Sequence, residues 1–248
     1  MLNKKAKIIR PISIQPQHTV HKQGGLLKSI KQQNVKNTPK QEVRPVEQMK
    51  NVDIPNLIVV GYYTLGTPYA EEAKKLITSC KNLSLEHDIV GVSSMGNWQA
   101  NTRYKARFML DMLAKHSSKR LLYVDCDAVI HKKPVLFADY SADIAIRYQD
   151  FLYRKNECLS GTIYMENNLK TKRLCEKWLE TNKQSDQKVL EQVNLGKIIE
   201  EMQKSDGLVF KNLPPEYTFI FDSMRKIYPD AVPVIEHFQA SRRFKNKL

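Results

Sequence analysis

The chain has 248 residues, 42% of them hydrophobic, enough for one sizeable core with a tail, and it carries a formal net charge of +14 at pH 7. That charge is uneven: residues 1–52 hold 11 Lys and Arg against Glu42 and Glu47, a local +9, whereas residues 53–248 hold 29 basic against 24 acidic residues, +5. The high charge therefore belongs to the N-terminal stretch, and the mildly basic remainder does not read as a nucleic-acid-binding fold.

Residues 1–52 are rich in Gln, Lys, Asn and Pro, show no sustained period and read as a basic tail of low order; only GGLLKSIKQQ suggests a short helical turn. The start, MLNKKAKIIRPISIQPQ, lacks the continuous apolar segment of a secretory signal. The longest apolar runs, such as LIVVGYY, are strand-length and too short to cross a membrane, so no stable membrane insertion is expected. Four cysteines without a CxxC spacing (Cys80, Cys126, Cys158, Cys175) point to a reduced, cytoplasmic setting.

Ordered structure is expected from about Ile54. NLIVVGYYT (56–64) reads as a buried strand, and PYAEEAKKLITSCKNL (68–83) as a helix opened by proline. HDIVGVSS (87–94) is a second strand, NTRYKARFMLDMLAKH (101–116) a second helix and LLYVDCD (121–127) a third strand. SADIAIRYQD (141–150) and LSGTIYMEN (159–167) follow as strands, then helices over 169–182 and 186–202, with extended segments and turns closing the chain. Strands alternating with helices predict an α/β domain over residues 53–248, with a mixed, mainly parallel sheet covered by helices on both faces. In such sheets ligands bind beyond the carboxyl ends of the strands, which directs attention to the polar residues there.

The third strand ends in two carboxylates, Asp125 and Asp127. Alternate strand residues face one side, so both are expected to point at one spot, where like charges repel unless a hard cation with a preference for oxygen ligands, Mg2+ or Mn2+, joins them. The string DCDAV also fits the nucleophile motif of haloacid-dehalogenase-type phosphatases, with Asp125 as nucleophile and Asp127 as acid. That motif normally lies on the first strand, however, and here a full strand–helix–strand–helix array precedes it.

Position favours a second likeness. The stretch from Leu57 to Asp127, then YVDCDAVIHKKPVLF (123–137), CLSGTIYMENN (158–168) and HFQASRRF (237–244), resembles in order the GT-A fold, Rossmann-like nucleotide-diphospho-sugar transferases. The nearest likeness is to the glycogenin-like branch and to small phage-type and bacterial members. Leu159 and Ala240 depart from the family's Asn and Gly at their positions. The resemblance implies a glycosyltransferase that uses a UDP- or GDP-sugar donor and Mn2+ or Mg2+ and acts on an unknown acceptor, a glycan, protein or nucleic acid. It implies Asp127 and His237 as metal ligands, with Asp125 bound directly, through water or on the ribose, and Arg242 and Arg243 on the diphosphate.

Other residues are expected around that centre. Tyr63 and Thr64 follow the first strand, where base and ribose would lie, and Asn101 and Lys105 sit near the start of the second helix, suited to base or phosphate. Gln149 and Asp150 end the fourth strand and could bond sugar hydroxyls; Gly161 lies in the acceptor-side strand. Either Asp186–Gln187 or Glu191–Gln192 resembles the family's acid–Gln helix start. Asp150, Asp186, Glu191 and Asp222 are the candidate bases of an inverting reaction. The glycogenin-like C-terminus instead suggests retention. A non-enzymatic alternative, nucleic-acid binding through the tail, lacks the aromatic platforms such binding uses.

Overall fold

The computed structural model describes residues 52–244. The tail over 1–51 and its helical turn lie outside the described residues. The main sheet contains β1 (Leu57–Thr64), β2 (His87–Val92), β3 (Arg120–Val124), β5 (Ile144–Gln149), β6 (Glu157–Met165) and β7 (Phe210–Asn212), in the order β2-β1-β3-β6-β5-β7. All its neighbours pair in parallel except β6, which runs antiparallel to both β3 and β5. A smaller sheet has the order β4-β9-β8, with β4 (Ala128–Ile130), β8 (Phe219–Ile220) and β9 (Ile235–His237). The expected mainly parallel sheet is therefore present.

The apolar alternation of the central strands explains the layering. Ile58, Val60 and Tyr62 of β1, Leu121 and Tyr123 of β3, and Ile163 and Met165 of β6 pack on one face. There they meet α3 (Lys105–Lys115), α4 (Leu169–Gln184) and α5 (Glu191–Ser205) through residues such as Phe108, Trp178 and Ile199. The alternate residues Leu57, Val59, Leu122, Val124 and Tyr164 face the other way. They bury against α1 (Tyr69–Asn82), Phe137 and the small sheet. Period-two burial on both faces is what a covered parallel sheet demands.

Three departures from the sequence-based expectations bear on the site. The helix expected over 101–116 is two helices, α2 (Trp98–Arg103) and α3, meeting at Tyr104. It starts earlier because Asn97 caps it, accepting from the Ala100 N–H at 2.9 Å. The helix expected from Asp186 begins only at Glu191. Arg103 binds the carbonyls of Asn182 and Val189 at 2.8 and 2.9 Å, and also that of Asp186. The Asp186 side chain accepts from the Lys188 N–H at 2.8 Å, so this stretch is a pinned turn. Lastly, β3 stops at Val124, and Asp125 and Asp127 lie in the turn beyond it. The Asp125 N–H reaches the Gly161 carbonyl as a last rung at 2.8 Å, and the Ala128 N–H closes back on the Asp125 carbonyl at 3.0 Å. Two short helices, α6 (Ser223–Ile227) and α7 (Ser241–Phe244), flank β9 among the described residues.

Gly61 in β1 faces this turn: a Cβ there would lie 2.7 Å from the carbonyl oxygen of Val124, the residue before Asp125. Backbone cannot yield as a side-chain tip does, so Gly61→Ala is expected to destabilise the fold by about 1–3 kcal/mol in urea titrations. Phe137→Ala, which empties a fully buried ring stacked 5.0 Å from Tyr164, should cost about 3–5 kcal/mol by the same measurement.

Candidate active site

The small sheet assembles the centre. β4 pairs antiparallel with β9, setting Ala128 opposite His237, and the Phe238 N–H donates to the Asp127 carbonyl at 3.0 Å. Asp125, Asp127 and His237 thereby offer ligand atoms that all lie within 4.8 Å of one another. Asp127 Oδ2 accepts from the Ala240 N–H at 2.7 Å. Burial and the neighbouring Asp125 charge raise the Asp127 pKa to about 6, against the pull of that N–H. His237 is 4% exposed, and burial lowers its pKa to about 4, which leaves a neutral imidazole. Its Nε2 lies 2.8 Å from Thr162 Oγ1.

Gly161 keeps this centre open. A Cβ at that position would stand 3.1 Å from His237 Nδ1 and 3.3 Å from Asp125 Oδ2. Two carboxylates and a neutral imidazole around a space that only glycine leaves free make a donor set that fits a divalent cation.

A second group of charges adjoins the first. Lys105, 3% exposed, places Nζ 3.1 Å from Asp125 Oδ1 and 3.2 Å from Glu191 Oε1, and donates to the Ser160 carbonyl at 3.0 Å. Burial opposes its charge, but the two carboxylates outweigh burial and raise its pKa above the ordinary lysine range. Burial raises the Glu191 pKa, opposed by Lys105 and by Ser160, whose Oγ–H donates to Oε1 at 2.6 Å. Glu191 Oε2 is buried without a protein partner. The carbonyl of the same residue accepts from Trp178 Nε1 at 2.9 Å, which fastens the start of α5 to α4.

These groups line one cavity of about 400 Å3 at the carboxyl ends of β1 and β3. Tyr63, Thr64, Asn101, Lys105, Asp125 and Asp127 all reach its wall, as do Gly161, Glu191, His237 and Arg242. Besides Glu191 Oε2, the buried atoms Asn101 Nδ2 and Thr218 Oγ1 lack protein partners, and both residues line the cavity. Asn101 is oriented by the Met95 N–H, which donates to its Oδ1 at 2.6 Å.

Other expected residues lie elsewhere. Gln149 is buried outside the cavity wall, its Oε1 accepting from Arg147 Nε at 2.8 Å and from the Tyr228 hydroxyl at 3.1 Å. Asp150 is exposed and accepts from the Asn156 N–H at 2.8 Å at a hairpin turn. Asp186 belongs to the pinned turn and lines a separate shallow depression. Arg243 turns away to Glu72, at 2.9 Å, so Arg242 alone of the basic pair faces the cavity. Of the two acid–Gln pairs, Glu191–Gln192 is therefore the one at the cavity. Sequence reasoning missed Ser160 and Thr162. Both are buried in β6, and two polar residues at period-two spacing within its apolar stretch from Cys158 to Met165 were the signal available.

Comparison with known proteins gives the family and the fold. Residues 81–248 match the family model of nucleotide-diphospho-sugar transferases. No curated protein sequence matches the chain. Among solved structures, the fold is similar to that of a glycosyltransferase involved in glycosylation of the major capsid of PBCV-1, with TM-score 0.58 and 12% identity over 78% of this chain and 98% of that one. It is also similar to the glycosyltransferase GlyE of Streptococcus pneumoniae TIGR4, with TM-score 0.53 and 13% identity over 73% of this chain. The chain spans about half of GlyE, 54% of its length. With the family match covering more than half of its residues, this chain belongs to the nucleotide-diphospho-sugar transferases and is a glycosyltransferase.

Proposed function

We propose that this glycosyltransferase is metal-dependent and moves a sugar from a UDP- or GDP-sugar to a glycan, protein or nucleic-acid acceptor, with Asp125, Asp127 and His237 holding Mn2+ or Mg2+. The observation that carries the proposal is the Gly161-lined space between two carboxylates and a buried neutral imidazole. The imidazole among the oxygens tilts the choice towards Mn2+. When bound, such a cation supplies Lewis-acid stabilisation of the departing diphosphate.

The protein's own groups supply the rest. His237 would hold the cation through Nδ1, and its ring proton would then sit on Nε2 and be donated to Thr162 Oγ1, fixing the tautomer. Arg242 lines the cavity while paired with Asp222, and its guanidinium fork offers further N–H groups to phosphate oxygens. Tyr63, Thr64 and Asn101 face the nucleoside end, where Asn101 Nδ2 provides a donor not used by the protein. Glu191 Oε2 provides an acceptor for a sugar hydroxyl.

Retention of anomeric configuration is part of the proposal. An inverting reaction needs an unencumbered base at the acceptor. Asp150 and Asp186 lie away from the cavity, Asp222 is paired with Arg242, and Glu191 shares Oε1 with Lys105 and Ser160, whose donors weaken the carboxylate as a base even though Oε2 is free. The first sugar released in slow donor hydrolysis, read by proton NMR before mutarotation, is expected to keep the donor's anomeric form; an inverted product would refute retention.

Donor plus Mn2+ at about 100 times Kd should stabilise the native state by about 2.7 kcal/mol, raising Tm by roughly 5–10 °C. EDTA or Asp127→Ala is expected to abolish that shift; a shift that persists in Asp127→Ala would sink the metal assignment. Gly161→Ala should lower Mn2+ affinity about tenfold or more while Tm without metal changes little, as calorimetric titration would show.

A further inference from the structure

The cavity contains a lysine whose position the metal site alone does not explain. Lys105 is enclosed on every side and has four acceptors within reach: the carbonyl and hydroxyl of Ser160, Asp125 Oδ1 and Glu191 Oε1. In each carboxylate it takes one oxygen and leaves the other. Asp125 Oδ1 also accepts from the Tyr123 hydroxyl at 2.7 Å, so Oδ2 is the atom left towards the Gly161 space and His237. Glu191 Oε1 is likewise taken by Lys105 and Ser160, and Oε2 is left without a partner.

Asp125, Asp127 and Glu191 bring three carboxylates close together, and Lys105 is the cation in direct contact with two of them. Pairing of this kind lowers the cost of burying the ammonium. The ammonium has a further anchor in the ring of Tyr123, 4.9 Å from its centroid. A side chain so fully held does not swing freely between partners; it sets their relative positions.

We propose that Lys105 is a positioning residue that clamps Asp125 and Glu191 to each other, so that the cation site and the unpartnered oxygen of Glu191 are presented in a fixed geometry and respond to one another. This inference rests on the metal-dependent reading above. It assigns Lys105 to the shape of the site, whereas the sequence alone suggested contact with base or phosphate. A lysine acting only through its charge would repel the cation, and its removal would tighten metal binding. A lysine acting as a clamp does the reverse, because Asp125 loses the partner that turns Oδ2 to the metal.

The test uses the full chain and Mn2+ itself, with free Mn2+ read by electron paramagnetic resonance at fixed pH and ionic strength. Lys105→Met is expected to lose about tenfold or more in Mn2+ affinity, the scale of a lost ligand-orienting contact, and Lys105→Arg to retain more than Lys105→Met. Binding by Lys105→Met as tight as wild type, or tighter, would overturn the clamp. Glu191→Gln keeps the question answerable should Lys105→Met not fold. With Glu191 neutral, Lys105 loses one of the two carboxylates it holds together, so Mn2+ affinity should fall, and fall much less in the Lys105→Met background, where the clamp is already gone and only the lost charge counts. Unchanged affinity in Glu191→Gln would also overturn the clamp. Asp127→Asn separates the two levels: wild type binding Mn2+ no better than Asp127→Asn defeats the metal reading and the clamp together. Loss in Asp127→Asn with full affinity in Lys105→Met defeats the clamp alone.

Discussion

The pairing of β4 with β9 is the interaction on which the centre depends. A three-residue ladder joins segments more than a hundred residues apart, placing His237 against the turn that carries Asp125 and Asp127. Its backbone bonds do more than hold the strands. The Phe238 N–H binds the Asp127 carbonyl and the Ala240 N–H binds the Asp127 carboxylate, so the same chain segment that brings the imidazole also orients the carboxylate it must meet. Loss of that pairing would remove the imidazole and the two N–H donors to Asp127 from the centre.

The large sheet supplies the platform. Its strands bury alternate residues in two separate cores, and the resulting rigidity lets a turn be aimed. The antiparallel β6 matters most, since it runs beside β3 and carries Ser160, Gly161 and Thr162 in succession past the turn. One of these binds Lys105, the next leaves space between His237 and Asp125, and the third holds the His237 ring. The pleat turns successive side chains to opposite faces, and here the middle residue has no side chain while the two outer ones serve neighbouring parts of one cavity.

Electrostatics shape the cavity as much as packing. Burial alone would neutralise most of its ionisable groups, and it does so for His237. Lys105 keeps its charge against burial, because two carboxylates face it. The carboxylates thus divide their oxygens between internal partners and the open space, an arrangement that suits a transferase whose donor brings both phosphate charge and sugar hydroxyls.

The sequence by itself determined the class of fold, the strand that leads to Asp125 and Asp127, and the order of motifs that told a sugar transferase from a phosphatase. These are local or ordinal properties, set by apolar period and by chain order. Tertiary structure decided which of several equivalent-looking residues meet. Glu191 and Asp186 each precede a glutamine, but Arg103 captures the carbonyls around Asp186 and leaves Glu191 at the cavity. Arg242 and Arg243 are adjacent, but Glu72 draws Arg243 away. Gln149 ends a strand as a ligand-binding residue would, yet Arg147 and Tyr228 occupy its oxygen. In the first two cases the outcome rests on a partner distant in the sequence, and in the third on distant Tyr228 together with neighbouring Arg147; a hydrogen bond to a distant partner leaves no period or spacing to read.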